Sequence, residues 1–192
     1  IWIGTSSGVE RFRHNRLTPV RLTGGERFFS FALDEAGRAL VLGKPTNELW
    51  QLSADGRATL LERGEPTDYG SLSNGADGSL LRGGPQHIER RRGSKREIIA
   101  YPDGLLEHGV VEAMRITDDG RALWLAVSRR GLYRRLDGRW LAQAELGIPA
   151  GVAFAAAGAA NAPGTMWFGY NDGLVVHYDN GRLTRYAPQP DG

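Results

Sequence analysis

One phrase opens this chain and closes it. At the start it reads Trp2-Ile3-Gly4-Thr5, then Gly8-Val9-Glu10-Arg11-Phe12, then Asn15-Arg16-Leu17-Thr18. At the end it reads Met166-Trp167-Phe168-Gly169, a turn at Asp172-Gly173, the run Leu174–Tyr178, a turn at Asn180-Gly181 and the run Leu183–Tyr186. Each copy is three short strands joined by two tight turns. A unit of that size cannot bury its own apolar face, so a chain built on such a phrase must stack copies of it.

The tryptophan of the phrase serves as a ruler. Its counterparts are Trp2, Val41 (in Val41-Leu42-Gly43), Leu81 (in Leu81-Arg82-Gly83), Trp124 (in Trp124-Leu125-Ala126) and Trp167, at steps of 39, 40, 43 and 43 residues. A period of about 40 residues with four strands in each is the signature of a propeller blade. The sequence therefore predicts an all-β fold, a β-propeller made of four-stranded antiparallel blades. Its units are 1–22 (partial), 28–62, 69–101, 110–144 and 152–187.

Within each unit the order repeats. A first strand (Phe28–Leu33, Tyr69–Asn74, Val110–Thr117, Val152–Ala157) leads through a turn into the ruler strand. A third strand (Leu49–Leu52, His87–Arg91, Leu132–Leu136, Leu174–Tyr178) leads through Asp55-Gly56, Gly93-Ser94, Asp137-Gly138 or Asn180-Gly181 into a fourth. Asp-Gly and Asn-Gly suit tight hairpins because both residues tolerate positive φ. Ala39-Leu40-Val41-Leu42 and Ala122-Leu123-Trp124-Leu125-Ala126 are apolar throughout, as strands covered on both faces are. The Gly or Ala two residues past the ruler marks a place where the chain crowds. Ala153–Ala160 has helical propensity, but the repeat register sets it on an innermost strand. The first unit lacks its first strand, so three strands and four units of four give nineteen.

Composition narrows the chemistry. With no cysteine, disulfide frameworks and thiolate metal sites are excluded. A net charge of +2 is too small to imply nucleic acid as a partner. No apolar run approaches the ~18 residues of a membrane-spanning helix. There is no signal peptide or initiator methionine, and Ile1 already sits inside a strand pattern. The expectation is a fragment of a larger propeller of about seven blades, cut from a longer protein.

Trp2-Ile3-Gly4-Thr5…Gly8-Val9…Phe12 and Met166-Trp167-Phe168-Gly169…Gly173-Leu174…Tyr178 resemble the two-component regulator propeller repeat, which writes Leu-Trp-Ile-Gly-Thr, then Gly-Leu, then an aromatic before a polar turn. The resemblance spans the chain in register. It is strong in the first and last units, fair around Trp124–Tyr133, and weak around Val41 and Leu81, where the tryptophan is lost. It implies the periplasmic, extracytoplasmic sensor part of a membrane-anchored signalling protein. The output half of such proteins is usually a histidine kinase of a two-component system, sometimes a diguanylate cyclase. No kinase or cyclase motif is present in this chain.

Candidate sites each meet a plainer reading. Gly4-Thr5-Ser6-Ser7-Gly8 matches the nucleophile-elbow pattern, but that motif needs a helix after the turn, and Val9-Glu10-Arg11-Phe12-Arg13 reads as a strand. The four histidines, His14, His87, His108 and His177, lack the convergent spacing zinc needs. Asp118-Asp119-Gly120 and Asn171-Asp172-Gly173 lack the further carboxylates of a calcium loop, so no metal and no cofactor is expected. Arg90-Arg91-Arg92-Gly93-Ser94-Lys95-Arg96 reads as a solvated hairpin or as an anion or phosphate patch. No aromatic residue interleaves with it to stack a nucleic-acid base.

In a propeller, the loops joining strands two to three and four to one emerge on one face. They offer Ser6-Ser7, Thr46-Asn47, Gln86-His87, Ser128-Arg129-Arg130, Tyr170-Asn171-Asp172, Thr67-Asp68-Tyr69 and Glu107-His108. The candidate ligand-binding residues are Asn47, Gln86, Arg129, Arg130, Tyr170, Asn171 and Asp172, for a small polar ligand such as a carbohydrate. The leading expectation is a sensor module without catalysis. The alternatives are a propeller lyase or hydrolase, which would need a charged cluster with perturbed pKa values, or a protein-interaction scaffold. Self-association through blade edges, or as a receptor dimer, is also expected, because unpaired N–H and C=O groups recruit strands. The isolated chain should therefore be an open arc or pair edge to edge. Adding the residues upstream of Ile1 should raise its melting temperature. Light scattering and thermal melts on both chains check this, and a closed monomeric ring from these residues alone would contradict it.

Overall fold

Five turns in this chain are built alike, and they set the strands in antiparallel register. Gly37, Gly56, Gly78, Gly120 and Gly173 each donate their N–H to the carbonyl three residues back, at 2.8–3.1 Å, and each has positive φ, between 71° and 93°. A left-handed residue thus closes each of these turns, a position glycine occupies without strain. The second kind of turn is tighter. Asp137-Gly138 (φ 50° and 83°) and Asn180-Gly181 (φ 46° and 97°) have positive φ at both centres, the type I′ form whose twist matches the strands it joins.

The computed structural model describes residues 1–5, 7–22, 28–65, 70–75, 77–105, 107, 110–117, 120–151, 153–157 and 164–187. These residues contain nineteen strands and no helix. A three-stranded sheet holds β1 (Trp2–Thr5), β2 (Gly8–Arg13) and β3 (Arg16–Val20). Four sheets of four strands follow: β4–β7 (Phe28–Leu33, Ala39–Lys44, Glu48–Leu52, Ala58–Arg63), β8–β11 (Ser71–Asn74, Leu80–Gly83, His87–Arg92, Lys95–Ala100), β12–β15 (Val111–Ile116, Ala122–Val127, Gly131–Leu136, Arg139–Ala142) and β16–β19 (Ala153–Ala157, Thr165–Tyr170, Val175–Asp179, Arg182–Tyr186). Each is a meander of neighbouring antiparallel strands, the form of a propeller blade. The alanine run enters a strand, β16, as its register requires; residues 158–160 lie outside the described residues. Among the described residues no helix is long and apolar enough to cross a membrane.

The chain divides into two compact units, residues 1–73 with 80–98, and residues 74–79 with 99–192. In the first unit, β5 is covered on both faces. Val41 packs on one side with Val9, Trp50 and Leu52, while Leu40 and Leu42 pack on the other with Leu49 and Leu72. All three are at most 3% exposed, which accounts for the lost alternation. Gly4 stands where a Cβ would lie 3.0 Å from Phe29 Cβ and Phe31 Cε2, so close sheet contact there requires glycine.

In the second unit the contact between β12–β15 and β16–β19 is built around Trp124, which is 1% exposed. Its ring lies 5.0 Å from those of Phe168 and Tyr178, tilted and edge-on. The Arg134 guanidinium lies 5.4 Å from the Trp124 ring and donates to Tyr178 Oη at 3.0 Å. Tilted aromatic pairs and a cation over an indole face each add to the burial gained.

Two expectations are corrected. Trp167 is not a core residue: β17 turns Met166, Phe168 and Tyr170 into the Trp124 cluster, and period-two alternation sends Trp167 to the other face. There it is half-buried, stacked at 4.2 Å on His177 and at 5.6 Å near Tyr186. Val41 is not the counterpart of Trp124 either. Five residues separate the paired Leu33 and Ala39, and six separate the paired Ile116 and Leu123. One residue of turn length moves every side chain to the opposite face.

Trp124→Ala is expected to cost about 3–5 kcal/mol in urea melts. Trp167→Ala removes a half-buried ring and is expected to cost about 1 kcal/mol.

Candidate functional site

In the second unit a turn and a connector meet to form a cleft. Ser128, Arg129 and Arg130 join β13 to β14. Ser128 anchors them: its N–H donates to the Val110 carbonyl at 2.9 Å, and its Oγ accepts from Val110 N–H at 2.8 Å. Arg129 is held at φ 61°, a left-handed backbone that turns the chain sharply and leaves both arginine side chains exposed. The connector runs from Gln143 to Gly151 between β15 and β16. It is coiled by hydrogen bonds from Leu146, Gly147 and Ile148 back to carbonyls of residues 142–144.

One side chain fastens the two together. Gln143 is 8% exposed. Its Oε1 accepts from Leu132 N–H at 2.8 Å. Its Nε2 donates to the Pro149 carbonyl, with Gly151 O and Tyr170 Oη each at 3.4 Å. Gly131, at φ 87°, has no Cβ to collide with the Gln143 amide. Gly151 likewise accepts the Tyr170 ring, whose nearest atoms would lie 2.9 and 3.1 Å from a Cβ there. The resulting cleft has a volume of about 380 Å³. Arg129 and Arg130 border it, Ala142, Ala144, Ile148 and Ala150 give it an apolar wall, and Gln143, Gly131 and Gly151 complete it.

Tyr170 lies against the back of this arrangement. It is 4% exposed, and its Oη donates to the Pro149 carbonyl at 3.3 Å. Burial, reinforced by the Asp172 carboxylate and only partly offset by Arg185, pushes its phenol up to about 12. It remains a neutral hydrogen-bonding group at physiological pH.

The candidate residues fall into separate places. Arg129 and Arg130 line the cleft, and Tyr170 touches it through Gln143. Asn171 and Asp172 continue into the exposed β17–β18 turn, where Asp172 Oδ1 accepts from Leu174 N–H at 3.1 Å. They do not line the cleft. In the first unit Asn47 has φ 53° and its amide serves the fold: Nδ2 donates to Glu65 O at 3.1 Å, and Oδ1 accepts from Arg82 at 3.3 Å. Arg82 also pairs with Glu62 at 2.5 Å. Gln86 is exposed in the bend between β9 and β10. Ser6, Thr67, Asp68, Tyr69, His108 and Asp118-Asp119 lie outside the described residues. The elbow-like motif runs straight into strand β2, with Thr5 Oγ1 donating to Gly8 O at 3.1 Å. Among the described residues no group of three or more His, Asp or Glu side chains is set to hold a metal ion.

Gln143 is the residue that loop reasoning passes over. The signal it left was a glutamine directly after a strand, heading a connector that contains Gly147 and Pro149. A polar amide before such a turn-rich stretch has backbone groups to satisfy.

Meander blades with a polar cleft at the joining loops define a β-propeller protein. No family model matches the sequence, and no curated protein matches it. Solved structures share the fold. Virginiamycin B lyase from Staphylococcus aureus superposes with a TM-score of 0.73 at 16% identity over 99% of this chain and 67% of that one. The gluconolactonase XC5397 from Xanthomonas campestris gives 0.67 at 17% identity over 96% and 70%. The extracellular domain of a protein described as a hybrid two component system from B. thetaiotaomicron gives 0.64 at 16% identity, over 98% of this chain and 26% of that chain. The chain spans about two thirds of the lyases, 65% in one and 67% in another. At these identities the likeness is one of fold.

The raised Tyr170 pKa has a definite consequence. The folded protein holds this proton more tightly than the unfolded chain, whose tyrosine titrates at about 10. Its contribution is complete below pH ~10 and is lost as pH rises toward about 12, a loss on the order of 2 kcal/mol. Urea melts across that window should show the slope in the native protein and not in Tyr170→Phe.

Proposed function

We propose that this chain is part of an extracytoplasmic, ligand-sensing β-propeller of a membrane signalling protein, with the Arg129–Arg130 cleft as its binding site. One observation carries the reading. The described lining of the cleft offers two guanidinium groups, an amide and apolar methyl groups, and no carboxylate, imidazole, hydroxyl or thiol. Such a wall holds a ligand: arginine grips oxygen-bearing groups in bidentate fashion, and the alanines and Ile148 take its apolar side. General acid–base or nucleophilic chemistry would need a titrating or nucleophilic group at hydrogen-bond reach of the substrate.

The fold shared with the extracellular domains of two-component systems supports this reading. On this reading the chain lies in the periplasm, in a parent protein whose output is a histidine kinase and whose receptor form is a dimer. The ligand class that fits best is a small polar molecule rich in oxygen, a carbohydrate first among them. The lyase alternative draws support from fold similarity and from nothing in the described lining.

A panel of neutral and acidic mono- and oligosaccharides, screened by thermal shift, tests the proposal. The expected result is a shift with at least one compound that Arg129→Ala/Arg130→Ala abolishes while its circular dichroism spectrum stays that of the native chain. Turnover of any panel compound, or a shift that survives the double substitution, would overturn it.

A further inference from the structure

We propose a second site, in the first unit, at the β10–β11 hairpin: a seat for a phosphate group. It does not rest on the sensor reading and shares no residue with the cleft. The two strands are joined by Gly93-Ser94, and Gly93 N–H donates to the Glu35 carboxylate, which ties the hairpin tip to the β4–β5 turn. Beside the hairpin lies a depression of about 430 Å³ lined by Arg90, Arg92, Lys95, Arg96 and Glu97. Four cations thus face one carboxylate.

The charges are arranged rather than scattered. Glu89, with a side chain 9% exposed, binds Arg91 and also Arg96 Nε at 2.8 Å. Glu97 lies 3.4 Å from Arg90. Across residues 89–97, five cations against two carboxylates leave +3, or +2 once the Glu35 carboxylate at the hairpin tip is counted. The net positive charge of the chain, +2, is matched by this one cluster. A surplus of this size, carried mostly by guanidinium groups held in place by buried or cross-strand carboxylates, matches the charge and forked geometry of a phosphate. No aromatic side chain sits among the described lining residues to stack a base, and the proposed ligand is recognised through its phosphate.

β11 is the outer strand of its sheet, and lysine or arginine on an edge also serves to repel other strands. The two roles separate by experiment. Inorganic pyrophosphate, and vesicles of phosphatidylglycerol or phosphatidylcholine, are titrated into the full chain and into Arg92→Ala/Lys95→Ala. These side chains are exposed, so the variant keeps its fold, which circular dichroism verifies. Saturable binding of pyrophosphate, weakened tenfold or more by the double substitution and by added salt, supports a soluble phosphate ligand. Saturable binding to phosphatidylglycerol vesicles alone, with the same losses, supports a lipid headgroup. Arg92→Lys in place of Arg92→Ala should restore part of the affinity. Binding that does not saturate, that persists in the double variant, that is equal on phosphatidylcholine, or that is absent in both arms would overturn the proposal.

Discussion

Sheet-on-sheet contact is the constraint on which everything else here depends. A meander of four short strands has two faces and no helix to cover either, so each blade finds its core in the next. In the second unit that contact is Trp124 against Phe168 and Tyr178. In the first it is Leu40 and Leu42 on one side of a strand and Val41 on the other. Strands covered on both sides are nearly all apolar, and polarity is displaced to the turns and connectors. The cleft beside Gln143 is accordingly built from a turn and a connector.

This division decides what could be read from the sequence. Strands and turns were legible because local chemistry dictates them: Asp137-Gly138 and Asn180-Gly181 adopt the positive φ pair that their residue types permit. The ruler residues were less secure. Which face a side chain takes depends on the length of the preceding turn, and a single added residue put Val41 and Trp124 on opposite faces. Trp167 misled for a related reason, since it occupies the face of its sheet opposite the Trp124 cluster.

The site was partly legible. Arg129 and Arg130 follow from the rule that joining loops share one end of a blade. Asn47 follows from the same rule, yet its amide is occupied in fastening Glu65 and Arg82. Gln143 escaped because its role is made by partners distant in sequence: Leu132 N–H, Tyr170 Oη and the Pro149 carbonyl converge on it only after folding. Both units solve one problem in the same way. In each a side-chain amide ties the second-to-third strand end to the connector after the fourth: Asn47 of the β5–β6 turn reaches the Glu65 carbonyl, and Gln143 of the connector after β15 reaches Leu132 N–H at the start of β14.

At the cleft that stitch is uncharged, whereas Asn47 also accepts from the Arg82 guanidinium. An amide neither titrates nor attracts counterions, so the width of the cleft beside Gln143 is set by a fastener indifferent to acidity and to ionic strength. Only the guanidinium groups at its rim respond to salt. A molecule arriving at this cleft would meet the same shape in a dilute medium as in a briny one, and only the strength of the grip would differ.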